Sequence, residues 1–178
     1  MRLFITIFLL LLTYAVWAQR DIPAYIMRFD SVALDIMQTY GIPASFVLAV
    51  AIHESAAGTS KVSLERCNHF GMKGKKHVAK AKSNYVFKYI DFESAEASYY
   101  HFANLVTSKK FYESLKGETD PLKWLKALKR TGYAASSKWV GRINHIIQKH
   151  NLTEMDKLIQ ADPQPPIIQR DSLQPTSH

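Results

Sequence analysis

The feature that most restricts the fold is an almost unbroken apolar run from residue 44 to residue 52, which is followed by His53 and a carboxylate, Glu54. Pro43 suits the first turn of a helix. The residues that share a helix face with Glu54, at spacings of seven, four and three, are Val47, Val50 and Ala51. Residues 56–60, AAGTS, break this pattern. The run therefore predicts a core-facing helix that ends where a cleft can open, with Glu54 in its last turn.

Helical periodicity continues on both sides of this segment. Apolar residues recur every three to four positions from Tyr25 to Tyr40, and Gly41 ends that pattern. Three more helices are predicted downstream, opened by Ser94, by Asp120-Pro121 and by Ser136 or Ser137. Between residues 73 and 89 the sequence instead partly alternates, which is typical of a β-hairpin. The expected fold class is α+β, mainly α, with a helical lobe and a small β-hairpin lobe.

The two ends of the chain differ in composition from the middle. Residues 1–18 combine a basic Arg2, an apolar core and compact residues at the −3 and −1 positions, Val16 and Ala18, which predicts a cleaved signal peptide. An uncleaved anchor is the alternative, although the apolar run is short for a bilayer span. Residues 159–178 are rich in Pro and Gln and have little to bury, so we expect a disordered tail. Residues 19–158 should then form one exported, monomeric domain in the periplasm or outside the cell, without a stable membrane anchor.

Charge and cysteine content limit the partners. The formal net charge of +8 favours polyanions. An exported chain meets cell-wall polymers and anionic membrane surfaces but little nucleic acid, so nucleic acid is not expected as a partner. A solvated basic surface without any partner is the alternative. Cys67 is the only cysteine, which excludes an internal disulfide.

A zinc-protease motif begins at His53 but is not completed. The HExxH motif requires a second His four residues after the first, and Ala57 stands there. No paired ligand spacing is found among the other candidates, Cys67, His69 and His77. Cys67 also lacks a placed base that would make it a nucleophile. We therefore expect neither a metal nor an organic cofactor.

Glu54 remains as the candidate for chemistry. A buried Glu is more often a structural hydrogen-bond partner than a catalyst. A carboxyl partly withdrawn from water can also hold its proton near neutral pH and act as the general acid that glycosidic bond cleavage requires. Position alone leaves both roles open.

Four stretches of the chain resemble, in order and spacing, the sequence blocks of a known family. They are "AIHESAAGTSK", "NHFGMKG", "FKYIDFESAEASYYHFANLV" and "LKRTGYAASSKWVGRINHIIQKHNL". The blocks are similar to those of the bacterial endo-β-N-acetylglucosaminidase domain of flagellar and autolytic cell-wall hydrolases, glycoside hydrolase family 73. The resemblance covers about residues 30–152. It implies a lysozyme-like fold and a substrate made of peptidoglycan glycan strands.

The resemblance also implies roles for particular residues. Glu54 takes the place of the family's catalytic acid, which would protonate the leaving glycosidic oxygen. Tyr133 matches the family's Gly-Tyr-Ala tyrosine, whose hydroxyl would line the cleft opposite the acid, with a core aromatic as the alternative. The other candidates for substrate binding are Asn68, Phe70, Lys73 and Tyr85. A tight structural turn is the alternative for the second block, and packing of one hairpin face is the alternative for the ring of Tyr85.

One feature departs from the family pattern. Family members often carry a second carboxylate in the hairpin, but no Asp or Glu lies between Glu65 and Asp91. Asp91 is the nearest later candidate for a second catalytic carboxylate, although an Asp there can also cap the next helix. Without a second carboxylate, Glu54 would act with the substrate's own 2-acetamido group as nucleophile.

The sequence thus predicts a peptidoglycan hydrolase that cleaves the β-1,4 bond after N-acetylglucosamine. A muramidase or a lytic transglycosylase on the same polymer would need the same glutamate. A catalytically inactive wall-binding module would keep the cleft without turnover. The sequence does not separate these alternatives.

Overall fold

Helices account for most of the structure, a computed structural model that describes residues 21–74 and 89–161. Within these ranges eight helices follow one another. They are α1 (Ile22–Tyr40), α2 (Ala44–Ser55), α3 (Lys61–Arg66), α4 (Ala95–Thr107), α5 (Tyr112–Leu115), α6 (Pro121–Arg130), α7 (Trp139–Lys149) and α8 (Thr153–Ala161). The described part of the chain is therefore mainly α, as predicted.

The first two predicted helices are confirmed, with one correction. Asp21 caps α1 by accepting the N–H of Ala24 at 3.0 Å, and Gly41 ends α1 in the left-handed region at φ 65°. The helix α2 does not have a single core face. All its residues from Ala44 to Ile52 are buried, because α1, α4, α6, α7 and α8 surround it. A helix that is apolar on all sides is a central helix, and this one ends close to Glu54.

The predicted starts of the later helices are also confirmed. Ser94 accepts the N–H of Ala97 at 3.1 Å, and Asp120 accepts the N–H of Leu122 at 2.9 Å. Both side chains satisfy backbone donors that a helix start leaves without an internal partner. The predicted last helix is α7, which begins at Trp139 shortly after the two candidate serines.

The helix α8 was not predicted, and the domain boundary expected at residue 158 falls inside it. It is held by Asp156, whose side chain is 2% exposed and accepts hydrogen bonds from both the backbone N–H and the hydroxyl of Ser45. Ser45 lies in the first turn of α2, where an anion is favoured by the helix dipole. The helix α8 is therefore fastened to the start of the central helix. The predicted tail from residue 162 onwards lies outside the described residues.

Little of the predicted hairpin can be compared with the structure. Within the described ranges, the β pairing is one antiparallel bridge between Lys73 and Tyr89, followed by a hydrogen bond from the N–H of Ile90 to the carbonyl of Met72 at 2.9 Å. The hairpin itself, including Tyr85, lies outside the described residues and stays a prediction. The same holds for the signal peptide at residues 1–18. Among the helices that the structure does describe, none combines the length and apolar character needed to cross a membrane.

Candidate active site

The turn after α2 fixes where Glu54 sits. Ala56 and Ala57 both adopt left-handed backbone at φ 53° and 55°, and Gly58 follows at φ 77°. Left-handed backbone costs a non-glycine residue roughly 1–2 kcal/mol, so this turn needs support. Ser55 supplies it, because its hydroxyl bonds the carbonyl of Ala51 at 2.6 Å and accepts the N–H of Gly58 at 2.8 Å. The helix thus ends abruptly one residue after Glu54.

The carboxylate of Glu54 is held by an indole. The Nε1–H of Trp139, at the start of α7, donates to Oε1 of Glu54 at 2.7 Å. Trp139 is 3% exposed, whereas Glu54 is only partly buried. The other oxygen, Oε2, accepts no hydrogen bond from the residues that the structure describes. One oxygen is therefore oriented by the indole, and within the described chain the other is left without a hydrogen-bond partner.

Tyr133 lies beside Trp139, the residue that binds this carboxylate. Its hydroxyl donates to the carbonyl of Phe70 at 3.0 Å, and its ring lies 5.7 Å from that of Trp139, measured between centroids. Burial, and then the negative charge of Glu54, raise the pKa of Tyr133 well above its ordinary value. The phenol therefore keeps its proton and cannot serve as a base near neutral pH.

The second of the four resembling stretches, NHFGMKG, supports the site from behind and does not line it. Asn68 is 1% exposed, and its amide nitrogen donates to the carbonyls of Met72 and Ile90, both at 2.9 Å. Phe70 is 2% exposed and stacks on Phe102 at a centroid distance of 4.3 Å. The substrate-binding role expected for these two side chains is thus not supported, since neither offers surface to a glycan. They fix the loop whose carbonyl receives the hydroxyl of Tyr133.

The remaining candidates are spread around this centre. Lys73 is exposed at the bridge that begins the predicted hairpin. The side chain of Asp91 is 70% exposed and forms an ion pair with Arg66 at 2.6 Å. The residue that caps α4 is Ser94 and not Asp91. The carboxylate of Asp91 is instead paired with the guanidinium of Arg66. Among the described residues, no group of three or more His, Cys, Asp or Glu is placed to hold a metal ion.

Trp139 is the residue that the sequence reasoning missed. It is the first residue of α7 and lies on the buried side of that helix. A buried indole usually finds an acceptor for its N–H, and this rule could have raised the question of which acceptor. No sequence pattern, however, joins residue 139 to residue 54.

This arrangement defines a class of protein. A carboxyl group at the end of a central helix, with one oxygen oriented by an indole and with aromatic rings beside it, is suited to protonating the leaving oxygen of a glycoside. The comparison with protein families agrees. The model described as glucosaminidase, mannosyl-glycoprotein endo-beta-N-acetylglucosaminidase, matches residues 30–152. The chain belongs to this family and is a glycoside hydrolase.

Solved structures show that the fold is shared. The peptidoglycan hydrolase from Sphingomonas sp. A1 is 24% identical, with a TM-score of 0.60, and the match covers 80% of this chain and 96% of that one. The glycoside hydrolase domain of FlgJ from Salmonella typhimurium is 19% identical, with a TM-score of 0.60 and the same coverages of 80% and 96%. The catalytic domain of the autolysin Auto from Listeria monocytogenes is 20% identical, with a TM-score of 0.59, covering 75% and 86%. A search of curated proteins found no match.

Proposed function

We propose that this chain is an exported peptidoglycan hydrolase that cleaves the β-1,4 bond after N-acetylglucosamine, with Glu54 as the general acid. The observation that carries the proposal is the unequal environment of the two carboxylate oxygens. Oε1 accepts the indole N–H of Trp139, which leaves Oε2 as the place for the proton to be transferred. Membership of the glucosaminidase family, and the cell-wall hydrolases among the structural neighbours, support the choice of bond and polymer.

The mechanism has to work without a hairpin carboxylate. Glu54 would donate its proton to the glycosidic oxygen while the carbonyl oxygen of the substrate's 2-acetamido group attacks the anomeric carbon. Water would then open the cyclic intermediate, with Glu54 taking a proton back. The ion pair of Asp91 with Arg66 favours this route, because a carboxylate already paired with a guanidinium is a poorer nucleophile. The route predicts a product with retained configuration, and an inverted product would reject it.

The first test compares the native protein, residues 19–178, with Glu54→Gln on purified peptidoglycan. Released fragments are reduced with borohydride and identified by mass spectrometry. Reduced N-acetylglucosamine ends that disappear in the variant are the expected result, with a loss of activity of roughly 10²–10⁴-fold. Glu65→Gln is the matched control, because Glu65 is an exposed carboxylate paired only with Lys61 in the described chain.

Other outcomes of the same experiment identify the alternatives. Reduced N-acetylmuramic acid ends would make the protein a muramidase, and anhydro-muramic ends would make it a lytic transglycosylase. Binding to the polymer without release of fragments by either protein would make it a wall-binding module. Full activity of Glu54→Gln would reject Glu54 as the acid whichever bond is cleaved.

A further inference from the structure

A second pocket, of about 440 Å³, opens on a different side of the turn that follows α2. Tyr25 and His69 contribute buried side chains to its lining, and Arg28 and Glu96 contribute exposed ones. Neither Glu54 nor the two aromatic residues that contact it belong to this lining. The volume lies in the range of pockets that hold small molecules.

The hydrogen bonds around His69 favour one tautomer of its imidazole. The hydroxyl of Tyr99 donates to the hydroxyl of Tyr25 at 2.9 Å. The single proton of Tyr25 is then directed to Nδ1 of His69, 2.6 Å away. With Nδ1 acting as an acceptor, the ring proton of neutral His69 must be on Nε2. His69 therefore presents an N–H donor whose position is set by two buried phenols.

The protonation states that this series of hydrogen bonds requires are the stable ones. Burial raises the pKa of Tyr25 to about 12 and that of Tyr99 well above its ordinary value, so both phenols stay protonated. Burial, and then the positive charge of Arg28, lower the pKa of His69 to about 4. At neutral pH the imidazole is consequently an uncharged donor.

Two opposite charges stand at the rim and do not neutralise each other. Arg28 comes from α1 and lies over the ring of Phe29 at 5.1 Å, and Glu96 comes from the first turn of α4. Both line the pocket together with His69, and the charges of both act on the pKa of its imidazole. In the part of the chain that the structure describes, no ion pair joins Arg28 to Glu96 or ties either of them to another residue. One pocket thus offers a cation, an anion and a neutral donor.

We propose that this pocket binds a zwitterion, an amino acid or short peptide with a free ammonium and a free carboxylate. The carboxylate would be bound by the guanidinium of Arg28 and Nε2–H of His69, and the ammonium by Glu96. A simple anion fits less well because Glu96 repels it, and a metal cation fits less well because Arg28 repels it. The site is separate from Glu54 and does not depend on the proposed hydrolysis.

The test is titration calorimetry of the native protein with alanyl-alanine, with free alanine as a second probe. N-acetyl-alanyl-alanine lacks the ammonium, and alanyl-alanine amide lacks the carboxylate. We expect saturable binding of the dipeptide or of alanine, and at least about tenfold weaker binding of each blocked analogue. The stronger of the two unblocked probes tells whether a peptide or a single amino acid is the preferred ligand. Absence of saturable binding of both, or equal binding of the blocked analogues, would overturn the proposal.

Two pairs of variants assign the contacts. Arg28→Gln and Glu96→Gln should each weaken binding of the unblocked probe about tenfold or more. Lys126→Gln and Glu113→Gln make the same charge changes at exposed positions outside the lining and should bind as the native protein does. If all four variants bind alike, the pocket is not the binding site. The blocked analogues keep the proposal testable on native protein even if a variant fails to fold.

Discussion

Replacing Trp139 with Phe removes one N–H donor from the carboxylate of Glu54 and keeps an aromatic ring in place. The bond that is lost is short, at 2.7 Å, and its acceptor is the group proposed to release a proton during the reaction. Glu54 starts the step as a neutral acid and ends it as a carboxylate. The hydrogen bond from Trp139 therefore strengthens as the negative charge develops, and an interaction that strengthens in the transition state lowers the barrier.

The size of the effect follows from the strength of the hydrogen bond to the neutral acid and its strength to the carboxylate. A hydrogen bond to a neutral group contributes about 1 kcal/mol, and one to a charged group about 1.5–3 kcal/mol. The difference of roughly 0.5–2 kcal/mol corresponds to a fall in kcat of about 2- to 30-fold at 25 °C. KM should change little, because the indole is 3% exposed and has almost no surface for the substrate.

Steady-state kinetics on a defined glycan, together with urea unfolding, separate this effect from loss of stability. Trp124→Phe is the matched control, since Trp124 is fully buried and its Nε1–H donates to the backbone carbonyl of Glu118 at 2.8 Å. Both variants lose an indole and a hydrogen bond, but only Trp139→Phe should lose kcat. An unchanged kcat in folded Trp139→Phe protein, or an equal loss in Trp124→Phe, would refute the reasoning.

Three further predictions concern the turn, the buried imidazole and the second carboxylate. Gly58→Ala should lower the free energy of unfolding by about 2 kcal/mol, because its Cβ would lie 3.1 Å from an aromatic ring of α1. Gly132→Ala, also at positive φ but with open space, should lose less, and equal losses in urea unfolding would contradict the steric argument. The pKa of His69, about 4 against 6.5, means that the unfolded chain binds a proton that the native protein lacks between these values. Stability should therefore fall by up to about 3 kcal/mol as the pH drops from 6.5 to 4, and His69→Gln should flatten this dependence in unfolding measured across pH. Asp91→Asn should keep kcat within about threefold of native, as should the control Glu93→Gln, whereas a loss of roughly a hundredfold or more in Asp91→Asn alone would make Asp91 the second catalytic carboxylate.

Helix starts and ends were the most predictable part of the fold because their signals are local. Asp120 and Ser94 bond backbone N–H groups two or three residues away, and Gly41 ends α1 through its own backbone conformation. The position of Glu54 at the end of a buried helix followed in the same way. These interactions are complete within one turn of chain, so a reading of the sequence finds them.

Contacts between distant residues were not predictable. Asp156 binds Ser45 across 111 residues, and Trp139 binds Glu54 across 85. The helix α8 was missed because the contact of its carboxylate, Asp156, with the start of α2 leaves no local pattern in the sequence. The resemblance likewise marked Asn68 and Phe70 without telling whether they touch substrate. Their burial depends on the loop that they close, which no local pattern shows.

Neighbouring residues at the end of α2 serve two different surfaces. Successive helix side chains point about 100° apart, so Glu54 meets Trp139 while Ser55 lies 3.5 Å from the hydroxyl of Tyr25, beside the second pocket. The left-handed turn that follows persists because Ser55 bonds backbone on both of its sides. Gly58, which this turn positions, packs directly against Tyr25. The short segment that ends α2 just after Glu54 thus also contributes Ala57 and Gly58 to the lining of the second pocket.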